Sequence, residues 1–524
     1  MSTKQQPDTL EPTSLLWSLA HVRKYGDTDL FPVPFEIKAI AHCWTRVGPT
    51  LTDLDLSKHR LGPPQRQLVP KPQGGFRVAT QLDPLDVLLY TGMVAEAAEA
   101  LENTRLPVES GVACSYRVDR RDDGSLYAEA SGWDLFQESS ETAAGGEGVR
   151  YVATADIADF YNQISHHRIC SALEGAGVRA SRAANLERFL TALAGGQSRG
   201  IPVGPMASAL LAEAVLTDVD SYLLGQGYKH TRYVDDFRFF CDDRRCAQRA
   251  LHDLSDYLNT AHRLTLHKTS VMRVAEFKQN ALFDPRRLEE SEGLTRLEKL
   301  QADLAGYQED PTDVDVPDEE KAELARELLR DLFESCVETR PLHLGLARHL
   351  LRRARAYRTT TLRRKVLANL DVLAAVMRDT ALYLQTTTFR GRVNQLAGSL
   401  ERFVESGDFG FLPFARIWVA ELAVQSIAAH DRETAIRICE AVADDVGLRP
   451  TALLAREVRD VAWVRARKET WQNNKPWDRR AIIWAGSILP EDERQAWLRR
   501  VADIGDDLDA AVALTAIVAD ESNL

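Results

Sequence analysis

The sequence predicts an α+β domain over residues 1–290 followed by an all-α domain over residues 291–524. The first 280 residues mix strand-like and helix-like segments with frequent Gly and Pro. From about residue 290, Leu, Ala, Arg and Glu recur at the three- and four-residue spacing of helices. Residues 307–320, acidic with two prolines, predict a solvated loop, and the Gly-rich residues 137–148 predict a flexible surface loop.

Composition excludes several classes of protein. No run of eighteen apolar residues occurs, so we expect no transmembrane helix and no membrane partner. The first residues lack a basic start followed by an apolar run, so we expect no secretory signal. Seven cysteines without a CxxC pair indicate reduced thiols in a cytoplasm. The net charge of −12 argues against nucleic-acid binding through global charge alone, but allows a local basic channel.

The adjacent aspartates Asp235 and Asp236 are the first candidate site. They lie in TRYVDDFRFF, residues 231–240, whose strand-like flanks predict a hairpin with both aspartates at its tip. Adjacent carboxylates repel each other, and more strongly where the dielectric is low. One interpretation is a solvated turn, in which aspartate is common. The other is a carboxylate pair held by Mg²⁺, whose charge cancels the repulsion.

Two other segments offer partners for this pair. YVATADIADFYNQI, residues 151–164, begins as an alternating strand and carries Asp156 at the strand's end. A third carboxylate there would complete a two-metal site for in-line phosphoryl transfer, with ions roughly 3.5–4 Å apart. RGIPVGPMASALLAEAVL, residues 199–216, predicts a turn that approaches a ligand closely and then a long amphipathic helix.

Three basic residues accompany the carboxylates. Lys268 follows the predicted hairpin by about thirty residues, in LTLHKTS. Lys71 and Arg77 flank a Gly-Gly turn that is suited to gripping a triphosphate. For each of the three, the alternative is an ordinary solvated cation.

In this order, the segments resemble the motifs of reverse transcriptases. YVDD resembles the Tyr-x-Asp-Asp box, DIADFY the first aspartate motif, GIPVGPMAS the Gly-x-Pro-x-Gly turn and LTLHKT the later lysine motif, over roughly residues 60 to 280. The resemblance implies right-hand polymerase fingers and palm. The GDTDLFPVPFE segment, residues 26–36, most resembles bacterial abortive-infection and other defence-associated ("unknown group") reverse transcriptases. In that group an all-helical, HEAT-like C-terminal region replaces an ordinary thumb.

The resemblance implies a role for each matching carboxylate. Asp156 and Asp235 match the direct ligands of two Mg²⁺ ions, or of Mn²⁺, and Asp236 matches a carboxylate that is partly structural. Ile157 would offer its backbone carbonyl to a metal. Lys268 would protonate the leaving pyrophosphate.

The resemblance also implies contacts to the incoming nucleotide. Tyr161 matches the bulky residue under the sugar, which prefers dNTPs because its ring clashes with a 2′-hydroxyl; its alternative is core packing. Lys71 and Arg77 match the triphosphate contacts of the fingers. Pro202 and Val203 lie where the turn meets the base and sugar. Val203 replaces the glutamine of many retroviral enzymes, which removes a hydrogen bond and puts ordinary templated fidelity in doubt.

The helical half carries one basic segment. Residues 343–366 contain eight Lys or Arg and no acid. One interpretation is a nucleic-acid groove formed by Arg352, Arg353 and Arg355, with Tyr357 able to stack on a base. The other is a solvated helix face.

The function implied is an RNA-directed or template-independent DNA polymerase that adds dNTPs in antiphage defence. Its partners would be the DNA product, an RNA template or an associated noncoding RNA, and further copies of the chain in a homo-oligomer. One alternative is an RNA polymerase on the same palm, against which Tyr161 and the Tyr-x-Asp-Asp box argue. Another is a non-catalytic nucleic-acid-binding scaffold, against which the complete carboxylate set argues.

Overall fold

Six strands form two sheets in the computed structural model, which describes residues 7–72, 74–129, 132–280, 292, 296 and 318–519. Their bounds are β1 Gln65–Pro70, β2 Phe76–Gln81, β3 Tyr151–Ile157, β4 His230–Tyr233, β5 Asp236–Cys241 and β6 Leu266–Arg273. β1 and β2 form a two-stranded sheet. The other four strands form one antiparallel sheet in the order β4-β5-β3-β6.

Strand alternation gives the four-stranded sheet two different faces. The register of β3 and β5 pairs Ala153 with Phe239 and Ala155 with Phe237, and all four residues are buried. This face is therefore part of the core. The opposite face carries the intervening residues, and among them is Asp156.

Two helices beside this sheet differ from the sequence-based expectation. The predicted flexible loop at 137–148 is helical over most of its length, because Gly132–Ala144 is a helix with Phe136, Gln137 and Ser140 buried. The predicted long amphipathic helix is instead short, Ala207–Val215, and buried at every residue. A helix that is buried all round shows no polar face.

Helices account for most of the remaining chain. In the first part they are Pro12–Tyr25, Glu36–His42, Trp44–Thr52, Pro84–Glu102, Gly132–Ala144, Phe160–Gln163, His166–Gly175, Ala180–Leu193, Ala207–Val215, Thr217–Gly225, Arg244–Tyr257 and Val274–Asn280. In the second part they are Asp318–Glu338, Leu344–Ala356, Arg363–Ala368, Met377–Thr387, Val393–Ser406, Pro413–Leu422, Arg432–Val446, Arg449–Glu457, Val461–Lys468, Pro476–Ala485, Glu491–Ile504 and Asp507–Val518. The predicted helical second half is thereby confirmed, while its HEAT-like character stays a prediction.

Two compact units make up the described chain. The first holds residues up to 29, residues 33–66 and residues from 80 to the end of the sheet region. The second holds the helices from residue 318 onward together with Leu30–Pro32 and Gln67–Ala79. The predicted domain boundary at residues 290 and 291 lies outside the described residues.

Trp418 and Phe414 of the second unit contact Leu30–Pro32, the short segment from the N-terminal part of the chain that belongs to the same unit. The indole of Trp418 donates a hydrogen bond to the carbonyl of Leu30 at 3.0 Å. Phe31 packs edge-on against Phe414, with ring centroids 5.8 Å apart.

No helix in the described ranges combines the length and apolar character that crossing a bilayer requires.

Candidate active site

Asp156 and Asp236 lie directly opposite each other on neighbouring strands. The register of β3 and β5 pairs Asp156 with Asp236 and Thr154 with Arg238. Because paired residues of an antiparallel sheet project to the same face, the two carboxylates share one face. Asp156 is half-buried and Asp236 is exposed.

Asp235 lies in the turn of the predicted hairpin, which is present. β4 ends at Tyr233 and β5 begins at Asp236, so Val234 and Asp235 form a two-residue loop. The carbonyl of Asp235 accepts the Ile157 N–H at 3.3 Å, which ties the turn to the end of β3. The Asp235 carboxyl lies within hydrogen-bonding reach of Asp156. The turn thus brings the third carboxylate to the first.

The three carboxylates repel one another in partly desolvated surroundings. Burial raises the pKa of Asp235 well above its usual value, and the charges of Asp236 and Asp156 raise it further. Although Asp236 is exposed to solvent on one side, the surrounding protein atoms desolvate its carboxyl, and this desolvation and the charge of Asp156 raise its pKa to about 6, against the opposing charges of Arg238 and Lys268. These two cations therefore offset only part of the repulsion, and a bound cation would be favoured here.

Lys268 lies in a β-bulge beside the carboxylates. β6 pairs His267 with Asp156 and Ser270 with Thr154, so two residues of β6 oppose the single residue between Thr154 and Asp156 on β3. Lys268 is one of the two, and its φ of 49° is left-handed. Bulges commonly redirect a side chain next to an active site. Lys268 is exposed, and its charge acts on Asp236.

Tyr161 lies on the carboxylate side of the palm. Burial raises the pKa of its phenol well above the usual value, and Tyr116, Tyr127 and Asp235 add to that effect. The carbonyl of Tyr161 accepts the Ile201 N–H at 2.9 Å, which fixes the tyrosine against the Gly-Pro turn. Tyr161 as a whole is half-buried, while its phenol is largely desolvated and lies near enough to Asp235 for that charge to act on it.

The Gly-Pro turn is tightly packed within the first unit. Pro202 is buried and Val203 half-buried, and the carbonyl of Val203 accepts the Thr80 N–H at 2.9 Å. Gly204 has a φ of 132°, and a β-carbon there would lie 2.5 Å from Oγ1 of Thr28. Glycine is therefore required at this position because of both backbone conformation and space.

Lys71 and Arg77 lie in the part of the β1–β2 hairpin that belongs to the second unit. The predicted Gly-Gly turn is present, since Gly74 and Gly75 both have left-handed backbones, with φ of 88° and 77°. The N–H of Lys71 donates to the carbonyl of Gly75 at 3.0 Å. Lys71 is exposed and Arg77 half-buried.

The donor chemistry of the carboxylates fits a divalent cation. Carboxylate oxygens are the hard ligands that Mg²⁺ and Mn²⁺ prefer, and Asp156 and Asp235 approach each other closely. As the side chains stand, no three Asp, Glu, His or Cys residues within the described ranges form a group that could hold a metal ion. A third protein ligand would come from rotation of Asp236 or from the carbonyl of Ile157.

The basic segment of the second unit presents exposed arginines. Arg352 donates to Asp379 at 2.8 Å, so its charge is compensated in part. Arg353 and Arg355 are exposed. The guanidinium of Arg353 lies 5.5 Å from the ring centre of Tyr357, whose side chain is 56% exposed.

A buried charge network behind the hairpin was not predicted. Arg232 donates to Asp220 from Nε at 2.9 Å and from Nη2 at 2.5 Å, and from Nη1 to Glu213 and to the carbonyl of Val234, both at 3.0 Å. Ser115 Oγ donates to Glu213 and accepts the Val234 N–H at 2.8 Å. Burial alone would raise the pKa of Asp220, but the charge of Arg232 outweighs it and lowers the pKa to about 2. The sequence signal was Glu213, the one acid of the largely apolar helix Ala207–Val215; Asp220 gave no such signal, because the helix Thr217–Gly225 is partly polar and also carries Asp218.

The fold and the carboxylates define the class of protein. An antiparallel sheet that presents aspartates from β3 and from the β4–β5 turn is the palm of a polymerase of the right-hand type, with β1 and β2 in its fingers. Residues 69–306 match the family described as reverse transcriptase (RNA-dependent DNA polymerase). The chain therefore contains a reverse transcriptase domain, and its enzyme class is nucleotidyltransferase, an RNA-directed DNA polymerase.

Comparison with solved structures finds telomerases. Telomerase from Candida albicans in complex with a TWJ fragment of telomeric RNA is 14% identical, covers 71% of this chain and 68% of its own, and has a TM-score of 0.30. Apo telomerase from Candida tropicalis is 11% identical, covers 81% and 68%, and has a TM-score of 0.32. Similarity at this level carries no argument about function. No curated protein sequence matches the chain significantly.

Proposed function

We propose that the chain is an RNA-directed or template-independent DNA polymerase that adds dNTPs at the site formed by Asp156, Asp235 and Asp236. One observation carries this proposal: within a reverse transcriptase domain, the turn and the strand register bring three carboxylates together with their repulsion only partly offset. In the reaction, a 3′-terminal or protein hydroxyl attacks the α-phosphorus of the dNTP, and pyrophosphate leaves.

The residues of the chain divide this work. Asp156 and Asp235, with the carbonyl of Ile157, would hold the metal ions. Asp236 would be partly structural and would add negative charge beside the ions. Two Mg²⁺ or Mn²⁺ ions, when bound, supply positive charge that stabilises the attacking and leaving oxygens. Lys268, redirected by its bulge, would donate a proton to the departing pyrophosphate.

Nucleotide selection would rest on the residues around the turn. Tyr161 would exclude a 2′-hydroxyl, as the resemblance implies, from a position close enough to Asp235 for that charge to act on its phenol. Pro202 and Val203 would line the base and sugar, where Val203 offers no side-chain hydrogen bond. Lys71 and Arg77 would bind the triphosphate, as the resemblance implies.

The second unit would hold the nucleic acid. No Asp or Glu occurs between residues 339 and 370 or between residues 380 and 400, in a chain of net charge −12. Arg353, Arg355 and Tyr357 supply exposed charge and an exposed ring, which together suit single-stranded nucleic acid. Arg352 is also exposed, and Asp379 compensates its charge in part.

A second exposed aromatic residue lies in the other acid-free segment. Arg363 donates to Thr388 at 2.9 Å and to the carbonyl of Arg392 at 3.2 Å. These bonds place the 388–392 loop beside the first residue of the helix Arg363–Ala368. In that loop Phe389 is 53% exposed, and Arg392 lies 4.8 Å from its ring centre. The pairing of an exposed ring with an arginine thus occurs twice in the acid-free segments.

The biological setting follows from the resemblance alone. The motif wording and the helical second half support a role in antiphage defence, in a cytoplasm and with the chain as a homo-oligomer. Phage plating on cells that carry the parent or Asp235→Asn would test that role. Equal plating on the two strains would refute it.

Incorporation of labelled nucleotides by purified protein tests the proposed polymerase. We expect Mg²⁺-dependent incorporation of dNTPs, with ribonucleotides used far less. Preferential use of rNTPs would instead identify an RNA polymerase. Absence of incorporation with Mg²⁺ and Mn²⁺, with and without primed RNA, would favour a non-catalytic scaffold.

A further inference from the structure

The hairpin that carries Asp235 depends on an unfavourable backbone conformation. Val234 has a φ of 54° at the first position of the two-residue loop, whereas Asp235 is not among the described residues with positive φ. In hairpin loops of this kind the first position is normally glycine, since a β-branched side chain disfavours left-handed backbone. Something outside the loop must therefore hold Val234 in place.

Two side chains bind both polar groups of the Val234 backbone. Ser115 Oγ accepts its N–H at 2.8 Å. Arg232 Nη1 donates to its carbonyl at 3.0 Å. These bonds grip the peptide groups on either side of the left-handed residue, so rotation of Val234 into an ordinary conformation would break both.

The two gripping side chains are themselves immobilised. Glu213 binds both of them, accepting from Ser115 and from Arg232, and it also accepts from Arg105 at 2.9 Å. Asp220 holds the remaining face of the Arg232 guanidinium. The side chains of Ser115, Arg232 and Glu213 are fully buried, so water does not compete for their bonds.

The segment that carries Ser115 is fixed to the hairpin as well. The N–H of Arg232 donates to the carbonyl of Val112 at 2.7 Å, and the N–H of Cys114 donates to the carbonyl of Arg232 at 3.0 Å. Ala113 thereby pairs with Arg232 as a short parallel bridge along the outer edge of β4. Ser115 reaches the turn from a backbone that moves with β4.

We propose that Ser115 and Arg232 are positioning residues, which hold Val234 left-handed and thereby keep the Asp235 carboxylate beside Asp156. The inference rests on the proposed function, because it takes the Asp235 carboxylate to be a metal ligand. It adds to that function two residues that touch neither metal nor substrate. Groups that orient metal ligands typically change metal affinity by roughly 10- to 100-fold when removed.

Mn²⁺ binding to the full chain, measured by the electron paramagnetic resonance of free Mn²⁺, tests the proposal. Ser115→Ala removes the acceptor of the Val234 N–H and the donor to Glu213. Ser208→Ala is the control for the loss of a buried serine, because Ser208 is equally buried and loses its bond to Tyr90, at 2.9 Å. We expect Ser115→Ala to weaken Mn²⁺ binding roughly tenfold or more. Ser208→Ala should bind Mn²⁺ as the parent does, and its thermal midpoint should fall less than that of Ser115→Ala, which loses two bonds.

Two further variants make each outcome decisive. If Ser115→Ala does not fold, Ser115→Cys tests the same bond with a poorer acceptor of nearly equal size. Asp235→Asn measures whether Mn²⁺ uses this site. Parent-like Mn²⁺ binding by the Ser115 variant, with binding lost in Asp235→Asn, would refute the positioning role alone. Parent-like binding in Asp235→Asn would refute the metal assignment, and the positioning role with it.

Discussion

Replacing Asp220 with asparagine tests the buried network that supports the hairpin. Asp220→Asn preserves shape and one oxygen acceptor but removes the charge that faces Arg232. The lowering of the pKa of Asp220 from its usual 3.8 to about 2 corresponds to about 2 kcal/mol of stability at neutral pH. Breaking a buried ion pair typically costs about 3–5 kcal/mol. We therefore expect a loss of between about 2 and 5 kcal/mol.

The sign of the pH dependence follows from the lowered pKa. A carboxyl whose pKa is lowered by folding stabilises the protein fully at pH values above its pKa in the unfolded chain. That contribution is lost as the pH falls through its pKa in the folded protein. The difference between parent and Asp220→Asn should thus be complete at pH 7 and shrink below about pH 4. Hydrogen exchange of peptides from β4 and β5 measures this difference in opening free energy locally, and the helix Glu491–Ile504 of the second unit serves as the internal reference.

A surface variant provides the control for this measurement. Asp123 pairs with Lys24 at 2.6 Å, but both side chains are well exposed, so Asp123→Asn should leave exchange in β4 and β5 unchanged. A change in opening free energy below about 0.5 kcal/mol for Asp220→Asn, which is typical of surface substitutions, would contradict the reasoning. The network would then be a consequence of the fold and not a support for it.

Two further predictions concern the nucleotide and the nucleic acid. Tyr161→Ala should lower the ratio of kcat/KM for dATP over rATP, whereas Tyr161→Phe should preserve it; an unchanged ratio in the alanine variant would leave Tyr161 as a packing residue. Arg353→Ala with Arg355→Ala should weaken single-stranded DNA binding and flatten its salt slope by roughly 1.4 units, at about 0.7 per phosphate contact on a single strand. The equally exposed pair Arg499→Ala with Arg500→Ala is the control, and equal slopes for the two pairs would assign Arg353 and Arg355 to a solvated face.

Local patterns predicted the elements that carry the carboxylates. Alternation along residues 151–157 predicted β3, and the strand-like flanks of Asp235 and Asp236 predicted the hairpin. Once both exist as neighbours in one sheet, strand periodicity places Asp156 opposite Asp236. Short-range periodicity and turn chemistry were sufficient for this part of the site.

Local patterns failed where tertiary contacts decide the structure. The small, polar segment from residue 137 is the continuation of a helix that begins at Gly132, and it packs on the sheet, where Ser140 bonds Thr231 at 2.8 Å and Gln137 bonds Arg238 at 2.8 Å. Such bonds join residues about a hundred positions apart, which no local window contains. The bulge at Lys268 depends in the same way on how β6 pairs with β3.

The buried network was beyond prediction for a related reason. Ser115 and Glu213 are 98 residues apart, and nothing in the sequence around Ser115 distinguishes it from a surface serine. Glu213 did give a signal, as an acid within an apolar helix, because a fully buried acid is rare unless it is paired. The sequence did not show which residue pairs with it.

Nucleotide incorporation by Asp235→Asn tests whether Asp235 belongs to the active site. Asp159→Asn is the matched control, since Asp159 is exposed, lies three residues from Asp156 and has a left-handed backbone that asparagine tolerates. Because burial and carboxylate repulsion raise the pKa of Asp235, its charge opposes folding at neutral pH, and the metal-free variant should melt no lower than the parent. We predict no Mg²⁺-dependent dNTP incorporation by Asp235→Asn and a parent-like rate for Asp159→Asn. Incorporation by folded Asp235→Asn at the parent rate would contradict the assignment of the active site.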